Sequence, residues 1–253
     1  MKEQTLRYLR TGALYVTLAG TALLVGRCVS NGAMESGITL APQGAESLFN
    51  GTDLTGWNGD PRVWRVENGA IVAQTTAETP IQSNTFLIWE GGTVKDFDLK
   101  LSFRLTGGNS GVQYRSTVVE GWTVSGYQAD MDAANRYTGM LYEERGRGII
   151  AWRSQQVVIE PDGRFTVTGS VGDPDELTAA IDMSDWNVLE ISARGNHLVH
   201  KVNGRVTVDV IDNQVEERAD SGILALQIHT GPPMKAEFKD ITLTRLSPAS
   251  AAR

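Results

Sequence analysis

The chain has a single cysteine, Cys28, among 253 residues. That count excludes an internal disulfide and an all-cysteine metal site. Histidine is nearly as scarce, with three, and no pair has the spacing of a helix-borne metalloprotease site. Basic residues are outnumbered, 23 Lys and Arg against 30 Asp and Glu, for a net charge of −7. Phosphate backbones are held by clustered Lys and Arg, and no such patch lies beyond the first few residues, so nucleic acid is excluded as a partner. Gly-rich phosphate loops, dinucleotide fingerprints and a nucleophile-elbow Ser are also missing. Helical periodicity is poor as well: residues 173–185, DPDELTAAIDMSD, hold one helical turn at most.

At the N-terminus Lys2, Arg7 and Arg10 precede an uncharged apolar run, residues 11–26. The run is shorter than the ~20 residues a membrane span needs and has the form of a signal h-region. Residues 1–33 therefore read as a signal peptide or an N-terminal membrane anchor, which makes the protein exported, periplasmic or envelope-associated. Cys28 stands where a lipid would be attached, but Arg27 takes the place of the usual small residue before it. Residues 34–45 read as a flexible tether, 46–246 as a β domain and 247–253 as a disordered tail. Membrane contact is expected only through the N-terminal segment, and oligomeric state is left open.

What the sequence has in quantity is short alternating segments. In FDLKLSFRL, residues 97–105, Phe97, Leu99, Leu101, Phe103 and Leu105 share one parity and the polar residues the other. That is a half-buried antiparallel strand. Residues 187–193 and 235–245 alternate likewise. Asn203-Gly204 separates two alternating runs within 197–210, the strongest short signal for a hairpin. Many short strands with Gly-rich turns predict an all-β sandwich or jelly roll.

Three strands carry an unusual polar row. Tyr127, Ala129 and Met131 take one parity, and Gln128, Asp130 and Asp132 the other. Val112 and Tyr114 oppose Gln113 and Arg115, while Leu224, Leu226 and Ile228 oppose Gln227 and His229. Solvated faces favour Lys, Glu and Thr; amides, carboxylates, Arg and His orient hydroxylated ligands. The rows read as a binding face rather than ordinary surface. His229 ends its row, and an imidazole titrates near neutrality. A fourth segment, residues 140–150, brings Glu143, Glu144, Arg145 and Arg147 together beside two glycines. Either it is a turn with surface ion pairs or a ligand-facing loop; which glutamate faces inward depends on register. Trp122 and Trp152 are candidate sugar-stacking platforms, whereas Trp57, Trp64 and Trp186 read as core and His197 and His200 as surface or hairpin packing. A divalent ion is compatible with Asp130, Asp132, Glu143 or His229 as ligand types, but no spacing is specific for one, and no cofactor is required.

SLFNGTDLTGW at 47–57 and WRVENGAIVAQ at 64–74 resemble the opening of the 3-keto-disaccharide hydrolase domain family, also called DUF1080. The resemblance continues through 97–116, SGYQADMD at 125–132, LYEERGRGI at 141–149, 185–205 and 222–246. It implies a concanavalin A-like jelly-roll sandwich of two antiparallel sheets, with a carbohydrate site on the concave sheet and activity on glycosides oxidised at C3. Many relatives have Tyr-Glu-x-Gln where this chain has Tyr127-Gln128-Ala129-Asp130, so no Glu base is carried to position 128. A C3 ketone acidifies the C2 proton; its removal gives an enediolate, the C1 substituent leaves, and water can add back. Such chemistry needs a base tuned to working pH and donors for the enolate oxygen. His229 is the first candidate base, with Asp130 or Glu143 next. Gln113 and Arg115 are candidates for the ketone or oxyanion. Gln128, Asp132 and Gln227 are candidates for hydroxyls, with Arg145 and Trp152 at the periphery. The alternatives are a non-catalytic carbohydrate-binding module and an envelope adhesion or scaffold protein.

Overall fold

The computed structural model describes residues 44–246. The expected signal or anchor, nearly all of the tether and the expected tail lie outside the described residues. Within them the chain runs β1 (Ala45–Ser47), β2 (Trp57–Asn58), β3 (Trp64–Glu67), β4 (Ala70–Thr75), β5 (Thr85–Trp89) and β6 (Phe97–Thr106). It continues through β7 (Asn109–Glu120), β8 (Thr123–Asp132), β9 (Leu141–Glu144), β10 (Gly148–Ala151), β11 (Gln155–Ile159) and β12 (Phe165–Ser170). After α1 (Pro174–Ala179) come β13 (Asn187–Arg194), β14 (His197–Val202), β15 (Arg205–Asp212), β16 (Ile223–Ile228) and β17 (Met234–Arg245).

These strands make two open sheets, so the all-β sandwich holds. The seven-stranded sheet has the order β10-β9-β8-β7-β16-β5-β2. The ten-stranded sheet has the order β12-β11-β15-β14-β13-β6-β17-β4-β3, with β1 paired to β17. One pairing departs from the antiparallel expectation: β11 runs parallel to β15. The chain leaves β10 at the edge of one sheet and enters β11 near the edge of the other, and a tight hairpin cannot make a parallel pair.

Alternation places the core between the sheets. Phe97, Leu99, Leu101, Phe103 and Leu105 of β6 are buried there with Leu189 and Ile191 of β13. Facing them are Val112 and Tyr114 of β7, Tyr127, Ala129 and Met131 of β8, and Leu224, Leu226 and Ile228 of β16. Each such large side chain contributes about 1.5–3 kcal/mol on burial. At the predicted hairpin Asn203 and Gly204 have φ of 50° and 77°, as a type I′ turn requires. Asp173 caps α1 by accepting from the N–H groups of Asp175 and Glu176. Trp57 and Trp64 are buried as expected. Trp186 is not core: it is half-buried, with Arg104 and Lys239 over its ring at 4.8 and 4.3 Å, a cation–π arrangement. His200 is fully buried with Nε2 2.9 Å from the Tyr114 hydroxyl. Burial lowers its pKa to about 3, so it stays neutral and structural.

The core also holds an ion cluster. Directly opposed antiparallel residues share a face, and Glu143 opposes Tyr127, whose ring is in the core. Glu143 therefore points between the sheets, where both of its oxygens accept from Arg147. Arg147 also donates to Asp212 at 2.7 Å and to the Tyr127 hydroxyl at 3.2 Å. Tyr127 in turn donates to Asp212 at 2.6 Å. Burial alone would lower the Arg147 pKa, but its bonds to Glu143 and Asp212 raise it. The cluster ties the β9–β10 turn to the end of β15. Arg147→Met leaves two carboxylates buried without their cation, a change that costs about 3–5 kcal/mol. Urea unfolding reads that loss as a lower midpoint; an unaltered midpoint contradicts it.

Candidate functional site

The outer face of the seven-stranded sheet carries the polar rows. Gln113 and Gln128 are directly opposed across β7 and β8, and Gln227 follows on the neighbouring β16. All three are buried, at 0%, 1% and 1% exposure, although they leave the core face. Part of the cover comes from a second apolar cluster of Phe86, Ile88, Val124 and Ala225, with Trp122 and Ile223 packed on it. The Trp122 carbonyl accepts from the Phe86 N–H at 3.0 Å, which folds the β7–β8 hairpin over this part of the sheet. A β-carbon on Gly111 would fall 2.4 Å from the Gln128 carboxamide, so glycine there makes room for the amide.

Buried amides must be paired, and these pair with one another. The Ser116 hydroxyl donates to Gln113 Oε1 at 2.6 Å, and Gln113 Nε2 donates to Gln128 Oε1 at 2.7 Å. Gln128 Nε2 is 3.3 Å from Asp130 Oδ2 and 3.4 Å from Gln227 Oε1. Gln227 Nε2 lies 3.4 Å from Glu144 Oε2. The donors all run one way, toward two carboxylates.

Those carboxylates line a cleft of about 380 Å³. Asn84, Asn109, Gln128, Asp130, Tyr137, Met140, Tyr142, Glu144, Ile149 and His229 form its walls. Burial raises the Asp130 pKa to about 7, even though Asn109 and Gln128 hydrogen bonds oppose the shift. Asn109 Nδ2 donates to Asp130 Oδ1 at 2.6 Å. Burial also raises Glu144, against the Asn84 amide and the nearby His229. Tyr142 is raised by burial and then by Glu144 and Asp130, which keeps its phenol a donor. His229 Nδ1 is 2.5 Å from the Thr230 carbonyl. A carbonyl only accepts, so Nδ1 carries a proton and the lone pair of the neutral ring is on Nε2.

Of the residues singled out from sequence, Asp130, Gln128 and His229 line this cleft. Gln113 and Gln227 join it through the amide chain, and Arg145 lines the adjoining hollow beside Glu144 and His229. Four others have different places. Arg115 sits where the β7 pairing shifts register with both β8 and β16, with φ 47°. This bulge breaks the alternation, and its guanidinium is spent on the carbonyls of Lys95, Gly195 and Ala219 and on Asp96. Glu143 lies on the core face; its neighbour Glu144 takes the cleft position, because Tyr142 opposes Gln128 and Glu144 opposes Gly126. Asp132 accepts from the N–H groups of Arg136, Tyr137 and Thr138, so it anchors a loop. That loop brings Tyr137 to the cleft, and Trp152 stacks on Tyr137 at 5.9 Å as a buttress rather than a lining platform. Among the described residues no group of three or more His, Cys, Asp and Glu is placed to hold a metal ion. In the same residues no helix is long and apolar enough to cross a membrane.

Asn84, Asn109, Tyr137 and Tyr142 are not marked by any sequence pattern, and Glu144 is one of the two glutamates whose facing the sequence leaves open. The first three lie just before β5, at the start of β7 and in a loop, where periodicity gives no signal.

An open two-sheet β-sandwich of this kind is shared with solved proteins of Parabacteroides distasonis ATCC 8503. One, assigned provisionally as a glycosyl hydrolase, has a TM-score of 0.54 and 19% identity over 80% of this chain and 99% of its own. A second with the same provisional assignment has a TM-score of 0.52 and 18% identity, over 81% and 94%. At such identities the likeness establishes the fold. No curated protein matches the sequence. The profile of the 3-keto-alpha-glucoside-1,2-lyase-like domain matches residues 44–244, and the chain belongs to that family. Its role is thereby carbohydrate-related.

The Asp130 environment has a signature in stability. An unfolded Asp ionises near ~3.9, whereas folded Asp130 keeps its proton up to about 7. The folded state binds the extra proton between these values, so this group costs stability as pH rises through that window, by a few kcal/mol at most. Asp130→Asn removes that dependence. The melting temperature of the variant, minus that of the wild type, is expected to increase by several degrees from pH 4.5 to pH 8. A difference that does not vary with pH contradicts the assignment.

Proposed function

We propose that the protein cleaves 3-keto-α-glucosides by elimination, with Asp130 as the base. The observation that carries this reading is the Asp130 carboxyl: it lines a polar cleft, held by two amides and poised at about 7. A base works best when its pKa lies near the operating pH. Asp130 takes the C2 proton; the electron pair of the C2–H bond forms a C2=C3 bond, and the carbonyl π pair moves to the C3 oxygen as an enolate. The enolate then reforms the C3 carbonyl, the C1=C2 bond forms and the C1–O bond breaks. Tyr142, held as a neutral phenol, donates to the enolate oxygen. Glu144, whose raised pKa favours the acid form, protonates the departing oxygen, with His229 beside it. Water adding to the C1=C2 product gives net hydrolysis.

The amide chain gives Gln113, Gln128 and Gln227 a positioning part. Each is fixed by its neighbours, so the carboxylates are held without reorganisation when charge moves to the C3 oxygen. Family membership supports the substrate class, and the excess of ionisable groups over exposed aromatics favours chemistry over adhesion.

Two neighbouring glutamates supply the test. Turnover of a 3-keto-α-glucoside is expected to fall by roughly 100-fold or more in Glu144→Gln, the range for loss of a positioned acid. Glu143→Gln is expected to lower the urea midpoint and leave kcat within a few-fold of wild type. The reverse pattern overturns the register assignment. In the wild type kcat/KM is expected to rise with pH through about 7, as Asp130 ionises. A flat profile, or one falling across that range, removes Asp130 as the base.

A further inference from the structure

The cleft belongs to the seven-stranded sheet; the other sheet ends in an open edge. β12 is the last strand of the ten-stranded sheet and pairs only with β11. Of the four strands that end the two sheets it is the longest, with six residues against four in β3, four in β10 and two in β2. Its sequence, FTVTGS, holds neither a charge nor a proline, the residues that usually blunt an edge. β3, at the far end of the same sheet, carries Arg65 and Glu67.

The outward backbone groups of β12 follow from its pairing. Opposed residues of an antiparallel ladder alternate between bonding each other and turning away. The Glu160 N–H donates to the Arg164 carbonyl. At the next pair, Ile159 opposes Phe165, and the Ile159 carbonyl accepts from the Asn213 N–H on its other side. Phe165 therefore turns its N–H and carbonyl to the open side. Thr166 faces β11, and Val167 faces out again. After Val167 the register with β11 shifts, so the two outward N–H groups and two outward carbonyls make up the regular edge. The Phe165 and Val167 side chains oppose the core residues Ile159 and Val157, yet they are 37% and 58% exposed. The sandwich is open here, and an added strand meets both free backbone partners and an apolar surface.

We propose that the β12 edge takes an extended segment of another polypeptide as an added strand, with β-branched residues in its middle and Lys or Arg at its ends. In such augmentation main-chain bonds supply affinity and alternate side chains supply specificity. The charge preference comes from the flanks. Glu160 and Asp162 precede β12, and the exposed Asp173, Asp175 and Glu176 follow it. Against these carboxylates stand Arg164, 4.0 Å from Asp162, and Arg205, 3.6 Å from Glu176. Basic ends on the added strand meet carboxylates at both ends of the edge. A second copy of this chain, pairing β12 with β12 in antiparallel fashion, brings acidic end onto acidic end, and like charges oppose that.

The experiment titrates the full chain with a fluorescein-labelled peptide of alternating valine and threonine that carries two lysines at each end, read by anisotropy. Binding that weakens with added salt is expected, with an analogue carrying glutamates in place of the lysines weaker by roughly tenfold or more. On binding, hydrogen exchange is expected to slow at the Phe165 and Val167 amides and to stay unaltered at Thr166. Val167→Pro removes an outward N–H that has no bond to β11, a place where an edge strand tolerates proline. It is expected to weaken the lysine peptide by roughly tenfold, the effect of a lost hydrogen bond. Val167→Lys keeps the backbone and adds a charge to the edge; it is expected to weaken the peptide likewise, and it decides the matter if the proline variant does not fold. No binding of the lysine peptide, equal binding of the two peptides, or an affinity unaltered in Val167→Lys overturns the proposal. So does a concentration-dependent dimer in ultracentrifugation that Val167→Lys abolishes, because a second copy then covers the edge.

Discussion

The controlling constraint is the need to satisfy buried amides on the outer face of a sheet. A pleated strand sends alternate side chains to opposite faces, so core residues such as Tyr127 and Ala129 oblige Gln128 and Asp130 to point away from the core. The β7–β8 hairpin then folds over part of that face and removes water from it. Once buried, Gln113, Gln128 and Gln227 cannot be left unpaired. The solution in the structure is a chain in which every amide accepts from one neighbour and donates to the next, ending on Asp130 and Glu144. A row that looks like a polar surface in sequence is a buried, directional network in space.

That network and the cleft explain each other. Burial raises Asp130, and the same burial makes its two amide contacts worth forming. Two carboxyl groups stand at the ends of one hydrogen-bond chain, and in the proposed reaction they are its base and its acid. The core-side cluster of Arg147, Glu143 and Asp212 is the counterpart across the sheet. There one guanidinium pairs with two carboxylates and holds the turn that carries Glu144. Adjacent glutamates on one short strand thus have opposite uses, one for stability and one for the site.

Much of this was legible in sequence because parity is a strict rule within a regular strand. It placed Gln113, Gln128, Asp130, Gln227 and His229 each opposite the apolar residues of its own segment, and the hairpin at Asn203-Gly204 followed from turn chemistry; that the three segments share a sheet is long-range information. It failed where the strand is irregular. At Arg115 a bulge rotates the chain, and a basic residue in a polar row became an anchor for three carbonyls and Asp96. LYEE alternates for only four residues, so sequence leaves open which glutamate faces the site; the long-range pairing with β8 decides it, turning Glu144 and not the candidate base Glu143 to the cleft. Asp132 has the right parity but ends its strand, where nearby loop N–H groups claim it. Asn84 and Tyr137 approach the cleft from loops, which no periodic pattern can place.

The claim on which the account rests is that Asp130 is a buried carboxyl poised for proton transfer near neutrality. The most direct measurement is a titration of its carboxyl carbon by NMR in the full chain, assigned by the loss of its signal in Asp130→Asn. A midpoint near pH 7 is the predicted result. A midpoint near ~4, the value of a solvated aspartate, contradicts the account.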